Sequence, residues 1–276
     1  MYRGFNLVIL DPSPAAFAGH GARSRAHARS SDDFEELQRQ LGHQDIDGDK
    51  VKDDWFNDVP ASIFLSHSGK DTDLAYSLAD YLKVKLNLDV FVDSRVWGGA
   101  DKLLRAIDNQ YCRSDDGKHY DYQKRNYSTS HVHMMLATAL TEMIDRCECV
   151  IFLNTPESIQ AGDAQHRAAE RLASPWIYHE LMMTRLISRH LDRRLSVLRE
   201  SLEARLDAQD HALHISYEAP LAHFAQLTLS DMTAWGQQIM SGTRALDWLY
   251  RNHDSPPEEL ALLNRKLPYA LPRSPS

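Results

Sequence analysis

The stretch that decides the fold is residues 61–94, ASIFLSHSGKDTDLAYSLADYLKVKLNLDVFVDS. It begins with a short apolar run, ASIFLSH, which is bounded by polar turn residues and is typical of a buried strand. Leu74, Leu78 and Leu82 then recur at helical spacing, and a second apolar run, LDVFVDS, completes a strand–helix–strand unit. Because such units place parallel strands side by side, the stretch predicts a parallel sheet covered by helices.

The same alternation continues along the chain. Three further strands are predicted, CVIFLNT (149–155), ALHISYE (212–218) and a short AHFAQL (222–227). Between and after them the spacing of apolar residues predicts four helices, ADKLLRAIDNQYC, HVHMMLATALTEMIDRC, WIYHELMMTRLISRHL and one final helix, SDMTAWGQQIMSGTRALDWLYRN. We therefore expect an α/β fold, a three-layer, flavodoxin-like parallel sheet of about five strands with helices on both faces.

The two ends of the chain differ in composition from this core. Residues 12–31 are rich in small, basic and histidine residues, and residues 32–58 are acidic, so residues 1–58 are predicted to form a flexible N-terminal extension. Residues 59–252 are expected to form the folded domain, and residues 253–276 a proline-rich C-terminal tail.

Composition argues against several classes of partner. The net charge of −8 disfavours nucleic acid or an anionic membrane as the main partner, and no apolar run approaches the roughly 20 residues of a membrane helix. The three cysteines are odd in number and lack zinc spacing, so they predict neither a disulfide framework nor a metal site. The apolar stretch at the N-terminus is interrupted by Asp11 and two prolines, which disfavours secretion. We expect a cytoplasmic protein.

Residues 174–181, SPWIYHEL, carry the most informative acidic side chain. Ser174 followed by Pro175 is a strong helix start, and Trp176 and Glu180, four residues apart, share one face of that helix. No residue three or four positions from Glu180 is cationic. On these residues alone, Glu180 is either a solvated surface glutamate or a functional one.

Four pieces of the sequence, taken in order, resemble the Toll/interleukin-1 receptor (TIR) domain family, particularly its bacterial NAD-cleaving branch. IFLSHSGKD is similar to the family's first strand and following loop, and DVFVDSRVWGGADKLLRAID to its second strand, BB loop and next helix. CVIFLNTPES is similar to the third strand, and SPWIYHEL to the WxxxE helix. The resemblance covers about residues 60–250, and insertions at 111–133 and 159–173 depart from the family pattern.

The resemblance implies one of two functions. Some TIR domains cleave NAD with the WxxxE glutamate, and others are non-enzymatic adaptor or virulence modules. Carried over to this chain, Glu180 matches the catalytic position, and NAD is a substrate rather than a cofactor. The expected products are ADP-ribose or a cyclic or conjugated relative, as in antiphage defence of the Thoeris type, where the product activates a separate effector protein. A nucleoside deoxyribosyltransferase-like enzyme is a third alternative.

The chemistry of NAD cleavage suits a single carboxylate. Breaking the ribose–nicotinamide bond passes through an oxocarbenium-like transition state, as in glycoside hydrolysis. Nicotinamide leaves a pyridinium as a neutral molecule and needs no acid to protonate it. One unpaired glutamate that stabilises the developing positive charge is therefore sufficient, and no acid–base pair is expected.

Other side chains are expected to contact the substrate, each with a simpler alternative. Polar residues after the first two predicted strands either bind phosphate and ribose or cap loops, and the two tryptophans either stack on the substrate or pack structurally. The expected substrate-binding residues are Ser66, His67, Ser68, Asp93, Trp97 and Trp176. Trp97, in the expected BB loop, is also expected to mediate self-association.

Overall fold

A computed structural model describes residues 3–11, 15–26, 47–55, 60–114, 116–161, 170–172, 174–187 and 216–256. The strands are β1 (Arg3–Val8), β2 (Ile63–Ser66), β3 (Val90–Val92), β4 (Cys149–Asn154), β5 (Gln160–Ala161), β6 (Glu170–Leu172), β7 (Tyr217–Glu218) and β8 (Ala225–Leu227). The helices are α1 (Ala22–Ala26), α2 (Gly48–Trp55), α3 (Thr72–Leu86), α4 (Ser94–Tyr111), α5 (Tyr122–Arg146), α6 (Pro175–Leu186), α7 (Leu229–Gly236) and α8 (Thr243–Asn252). None of the helices in these ranges combines the length and the apolar composition needed to cross a membrane.

The central sheet has five strands, all parallel, in the order β3-β2-β4-β1-β8. Successive side chains of its strands point to opposite faces. Leu65 of β2 belongs to the core on one face, with side chains of α3, α7 and α8, and Phe64 to the core on the other face, with side chains of α2, α4, α5 and α6. Both residues are fully buried. The predicted three-layer α/β fold is therefore confirmed.

The N-terminal strand β1 lies inside the sheet. It pairs with β4 on one side and with β8 on the other, and Phe5 and Leu7 are fully buried. A flavodoxin-like sheet has the strand order 2-1-3-4-5. If β2 is counted as strand 1, then β3 is strand 2, β4 is strand 3 and β8 is strand 5, so the order is the same. The place of strand 4 is taken by the N-terminal strand β1.

The prediction that residues 1–58 form a flexible extension is therefore wrong for the described parts of that segment. Besides β1, the start of α1 is fixed by Asp80 of α3, whose carboxylate accepts hydrogen bonds from the Gly21 and Arg23 backbone N–H groups at 2.9 and 3.0 Å. The Asp47 side chain caps α2, which buries Val51 in the core. Residues 257–276, in the predicted tail, lie outside the described residues.

The predicted BB loop is helical. Helix α4 begins at Ser94, directly after β3, and continues through Gly98 and Gly99. Two glycines cost a helix about 2 kcal/mol relative to alanine. The buried side chains of Ala100 and Leu103 anchor the helix in the core and offset that cost. The backbone around Trp97 is therefore not a loop.

Two other predicted helices differ in length. Helix α5 starts at Tyr122 rather than His131, because the Asp121 side chain accepts the Lys124 N–H at 2.8 Å and caps an earlier turn. The predicted final helix is divided into α7 and α8. Gly242, with φ of 60°, precedes α8 in a conformation that favours glycine.

The predicted fourth strand does not join the main sheet. Residues 212–215 lie outside the described residues, and β7 pairs antiparallel with β6 in a separate three-stranded sheet of order β5-β6-β7. The position between β4 and β8 is already filled by β1, which leaves no place there for another strand. The short strand predicted within 222–227 is confirmed as β8, at the edge of the main sheet.

Candidate functional site

Four polar side chains meet at the carboxyl ends of β2 and β3. Ser66 ends β2 and His67 follows it, while Asp93 follows β3 directly. Glu180, from helix α6, completes the cluster through Ser66 and Asp93. None of the four is more than 3% exposed, and Glu180 is 0% exposed. We call these four residues the carboxyl-end cluster.

The fold places these residues together through strand register and helix packing. Leu65 of β2 is paired with Val92 of β3, so the residues that follow them, Ser66 and Asp93, leave the sheet side by side. Helix α6 begins as predicted, with Ser174 accepting the Ile177 N–H at 3.3 Å. Ile177 and Leu181 of this helix are buried in the core, which turns the face carrying Glu180 toward the sheet.

Glu180 has two polar neighbours in the cluster. The Ser66 hydroxyl donates to Glu180 Oε2 at 2.6 Å. Its second polar neighbour is Asp93, whose charge acts on Glu180, although Glu180 Oε1 and Asp93 Oδ1 have no hydrogen-bond partner among the described residues. A hydrogen bond between two carboxyl groups requires a proton on one of them.

His67 is paired with the same aspartate. Its Nδ1 atom forms an ion pair with Asp93 Oδ1, and both side chains are buried. Besides Asp93, the backbone of Leu65 acts on the His67 imidazole and raises its pKa. Asp93 therefore connects His67 to Glu180.

Burial and charge determine the proton positions in the cluster. Burial raises the pKa of Glu180 well above its usual value, and the negative charge of Asp93 raises it further, against the smaller opposing effect of the Ser66 hydrogen bond. Burial alone would lower the pKa of His67, but the charge and contact of Asp93 outweigh it and raise that pKa. These shifts favour an imidazolium on His67 and a neutral carboxyl group on Glu180.

The expectation of a single, unpaired glutamate is therefore wrong. The two polar neighbours of Glu180 that the structure describes are the Ser66 hydroxyl and the second carboxyl group, that of Asp93. Its helical neighbours could not reveal this, because Asp93 lies on a distant strand end that only the packing of α6 against the sheet brings close.

The other predicted site residues lie elsewhere or are not described. The Ser68 hydroxyl accepts the Lys70 N–H at 3.4 Å and starts a 3-10 turn. Trp176 is half-buried and meets the ring of His133 of α5 edge-to-face, with ring centroids 5.1 Å apart. The backbone of Trp97 lies in the first turns of α4, and its side chain is outside the described residues.

Two residues near His67 were missed from the sequence. Asp71 is buried and acts on His67 through its charge, and Thr155, just after β4, donates to Asp71 Oδ2 at 2.5 Å. Thr155 follows the carboxyl end of β4 just as His67 follows that of β2, and this shared position was the available signal.

The cluster offers hydroxyl, carboxyl and imidazole groups rather than a metal centre. Within the described ranges, no group of three or more His, Cys, Asp or Glu side chains is arranged to hold a metal ion. Comparison of the chain with protein-family models, curated proteins and solved structures finds no match. The resemblance to the TIR family therefore depends on the four sequence pieces described above.

Proposed function

We propose that this chain is an NAD glycohydrolase or cyclase of the bacterial TIR type, with Glu180 as its catalytic carboxylate. The observation that carries the proposal is the environment of Glu180. A fully buried glutamate lies at the edge of a parallel sheet where ligands bind, and the polar groups described next to it are a hydroxyl and a second carboxyl group. A structural glutamate in a core would instead be paired with a base.

The proposed reaction breaks the bond between the ribose C1′ and the nicotinamide nitrogen. The bonding electron pair passes to nicotinamide, which leaves neutral, and the ribosyl group becomes an oxocarbenium ion. Glu180, once ionised, stabilises that positive charge, and water or an internal nucleophile then attacks C1′ with loss of a proton. Because Glu180 is 0% exposed, substrate reaches it only after the cluster opens.

On this proposal NAD is the substrate and the product is ADP-ribose or a cyclic or conjugated form of it. We place the reaction in the cytoplasm, where the product serves as an antiphage signal for a separate effector protein. The proposal involves neither nucleic acid nor a membrane as partner, in keeping with the net charge of −8.

The test is nicotinamide release from NAD by the purified full chain, followed by mass spectrometry. We expect Glu180→Gln to lower turnover on the order of 10²-fold or more, because the substitution keeps the volume and removes the charge. A matched control is Glu142→Gln on α5, the same chemical change at a partly exposed residue that contacts Lys52. This control should retain wild-type turnover.

Two results would contradict the assignment. Wild-type nicotinamide release by a folded Glu180→Gln protein would show that Glu180 is not catalytic and would favour a non-enzymatic adaptor. Absence of nicotinamide release by the wild-type chain at every concentration tested would contradict the enzymatic proposal itself.

The carboxyl pair favours one second candidate, a nucleoside deoxyribosyltransferase-like enzyme. Cleavage of a neutral nucleoside releases a base that needs a proton, and one carboxyl group of an adjacent pair can donate it while the other stays ionised. Asp93 and Glu180 provide such a pair. Incubation with free nucleosides distinguishes the two functions, since this candidate releases a base from them and an NAD glycohydrolase does not.

A further inference from the structure

The side-chain hydroxyl of Ser66 is bonded to one oxygen of the candidate catalytic glutamate. Ser66 Oγ donates to Glu180 Oε2 at 2.6 Å, and both residues are 0% exposed. Because a serine hydroxyl carries one hydrogen, this contact uses the whole donor capacity of the side chain. The other oxygen, Glu180 Oε1, is buried and has no hydrogen-bond partner among the described residues. The two oxygens of the Glu180 carboxyl group are therefore not equivalent.

The sheet places this hydroxyl beneath helix α6. Ser66 is the last residue of β2 and is paired in register with Phe152 of β4. Because alternate residues of a strand point to one face, the Ser66 side chain shares the face of Phe64, which belongs to the same core as Leu181 of α6. A hydroxyl buried on this apolar face needs a polar partner, and Glu180 of the same helix supplies it.

We propose that Ser66 is a positioning residue, which holds Glu180 by Oε2, leaves Oε1 to face the substrate and promotes the ionised form that the reaction needs. The inference rests on the proposed function, in which Glu180 acts as a carboxylate. Ser66 acts through Glu180 rather than by donating to the substrate, because its one hydroxyl hydrogen is already used.

The hydrogen bond affects the ionisation of Glu180 in a definite direction. Burial and the charge of Asp93 raise the pKa of Glu180, and the hydrogen bond from Ser66 opposes them by lowering it. The physical reason is that a hydroxyl donating to a carboxylate stabilises the charged form. Loss of this hydroxyl should therefore make Glu180 harder to ionise.

The charges around Glu180 stay in place when the serine hydroxyl is removed. Asp93, whose charge acts on Glu180, is itself paired with His67. Among the described residues of α5, α6 and β6, no other titratable side chain acts on Glu180. His179, its neighbour in sequence, contacts Thr141 of α5 instead. A change in the ionisation of Glu180 on removal of the hydroxyl can therefore be assigned to the lost hydrogen bond.

The experiment compares NAD turnover by full-length Ser66→Ala and wild-type protein as a function of pH. We expect kcat at neutral pH to fall about tenfold or more, because a hydrogen bond to a charged group is lost. KM should change little, since Ser66 does not bind the substrate on this inference. The acidic limb of the kcat/KM profile should move to higher pH, because Glu180 becomes harder to ionise.

Ser128→Ala is the matched control. Ser128 of α5 also donates its hydroxyl to a buried carboxylate oxygen, Asp108 Oδ1 of α4, at 2.7 Å, and neither residue belongs to the carboxyl-end cluster. Its removal should leave kcat, KM and the pH profile at their wild-type values per folded molecule. Ser66→Cys is a second variant of the site. Because a thiol is a weak donor, its acidic limb should move in the same direction as that of Ser66→Ala, by a smaller amount.

An infrared titration without substrate provides a measurement that does not depend on turnover. The carboxyl C=O band of Glu180 is identified by its loss in Glu180→Gln and is followed against pH. This band should titrate at higher pH in Ser66→Ala than in the wild type, because the hydrogen bond that favours the carboxylate is gone.

The outcomes separate this inference from the proposed function. A lowered kcat, an unchanged KM and a raised Glu180 titration support it. Wild-type kcat in folded Ser66→Ala, a rise in KM alone, or lower turnover with an unmoved acidic limb overturns it and leaves the function intact. If the wild type cleaves no NAD, the proposed function is wrong, and an unmoved titration in Ser66→Ala then overturns the inference as well. If Ser66→Ala does not fold, an unmoved limb in Ser66→Cys overturns it.

Discussion

Replacement of Phe5 by alanine should destabilise the protein strongly, although Phe5 lies near the N-terminus of the chain. Its side chain is fully buried in the middle of the sheet, on β1. The ring stacks on Tyr250 with centroids 6.1 Å apart and meets His253 edge-to-face at 6.0 Å. Truncation removes these contacts and leaves a cavity between the sheet and α8, so we expect a loss of about 3–5 kcal/mol.

That loss is large compared with the stability of a typical domain, about 5–15 kcal/mol. With a urea m-value of about 2 kcal/mol/M, the unfolding midpoint should fall by roughly 2 M. Leu10→Ala is the matched control, a truncation of a residue that follows β1 and is 78% exposed. It should change the free energy of unfolding by no more than about 0.5 kcal/mol.

The assay is equilibrium urea unfolding followed by far-ultraviolet circular dichroism and tryptophan fluorescence. If Phe5→Ala costs no more than Leu10→Ala, β1 does not occupy the centre of the sheet. The strand order that places β1 between β4 and β8 would then be wrong. If circular dichroism and fluorescence of Phe5→Ala are lost together, at a urea midpoint roughly 2 M below that of the wild type, the strand order β3-β2-β4-β1-β8 is supported.

Two further predictions concern the site and its surroundings. Folding raises the pKa of Glu180 well above the value of 4.5 that applies to the unfolded chain. The stability contributed by the protonated form is therefore fully present below pH 4.5 and is lost as the pH rises through the pKa of the folded state. The glutamine of Glu180→Gln cannot ionise, so the unfolding free energy of this variant relative to that of the wild type should increase with pH, as measured by urea unfolding between about pH 5 and pH 9. If the plots of unfolding free energy against pH are parallel for the two proteins, the raised pKa of Glu180 is contradicted. Trp97→Ala should reduce both oligomer size in sedimentation and NAD turnover, and unchanged values at all concentrations would refute self-association through this segment.

The features predicted correctly from sequence are those that local patterns determine. The apolar runs of β2, β3 and β4 and the leucines of α3 predict a parallel α/β sheet, because period and length are local properties. Ser66, His67 and Asp93 were selected because they follow strands, and the structure brings them together at one edge of the sheet. The start of α6 at Ser174 and Pro175 also followed from local chemistry.

The features predicted wrongly depend on competition between distant segments. Residues 5–10, FNLVIL, which include most of β1, form an apolar run too short to be assigned to a strand by periodicity. The position of β1 in the sheet depends on its pairing with β4 and β8. The resemblance implied a loop around Trp97, but the segment is helical because core packing of α4 outweighs the low helix propensity of its two glycines. The contact of Asp93 with Glu180 likewise arises from packing of α6 against the sheet.

The position of β1 in the sheet affects the stability of the fold but not the residues of the candidate site, and these two effects can be tested separately. The carboxyl-end cluster comes from the ends of β2 and β3 and from α6, and β1 contributes none of its four residues. A substitution in β1 therefore acts on the population of folded protein rather than on the site. In buffer without urea, where most of the Phe5→Ala protein remains folded, turnover per folded molecule should match the wild type. Glu180→Gln should show the reverse, a folded protein that has lost turnover.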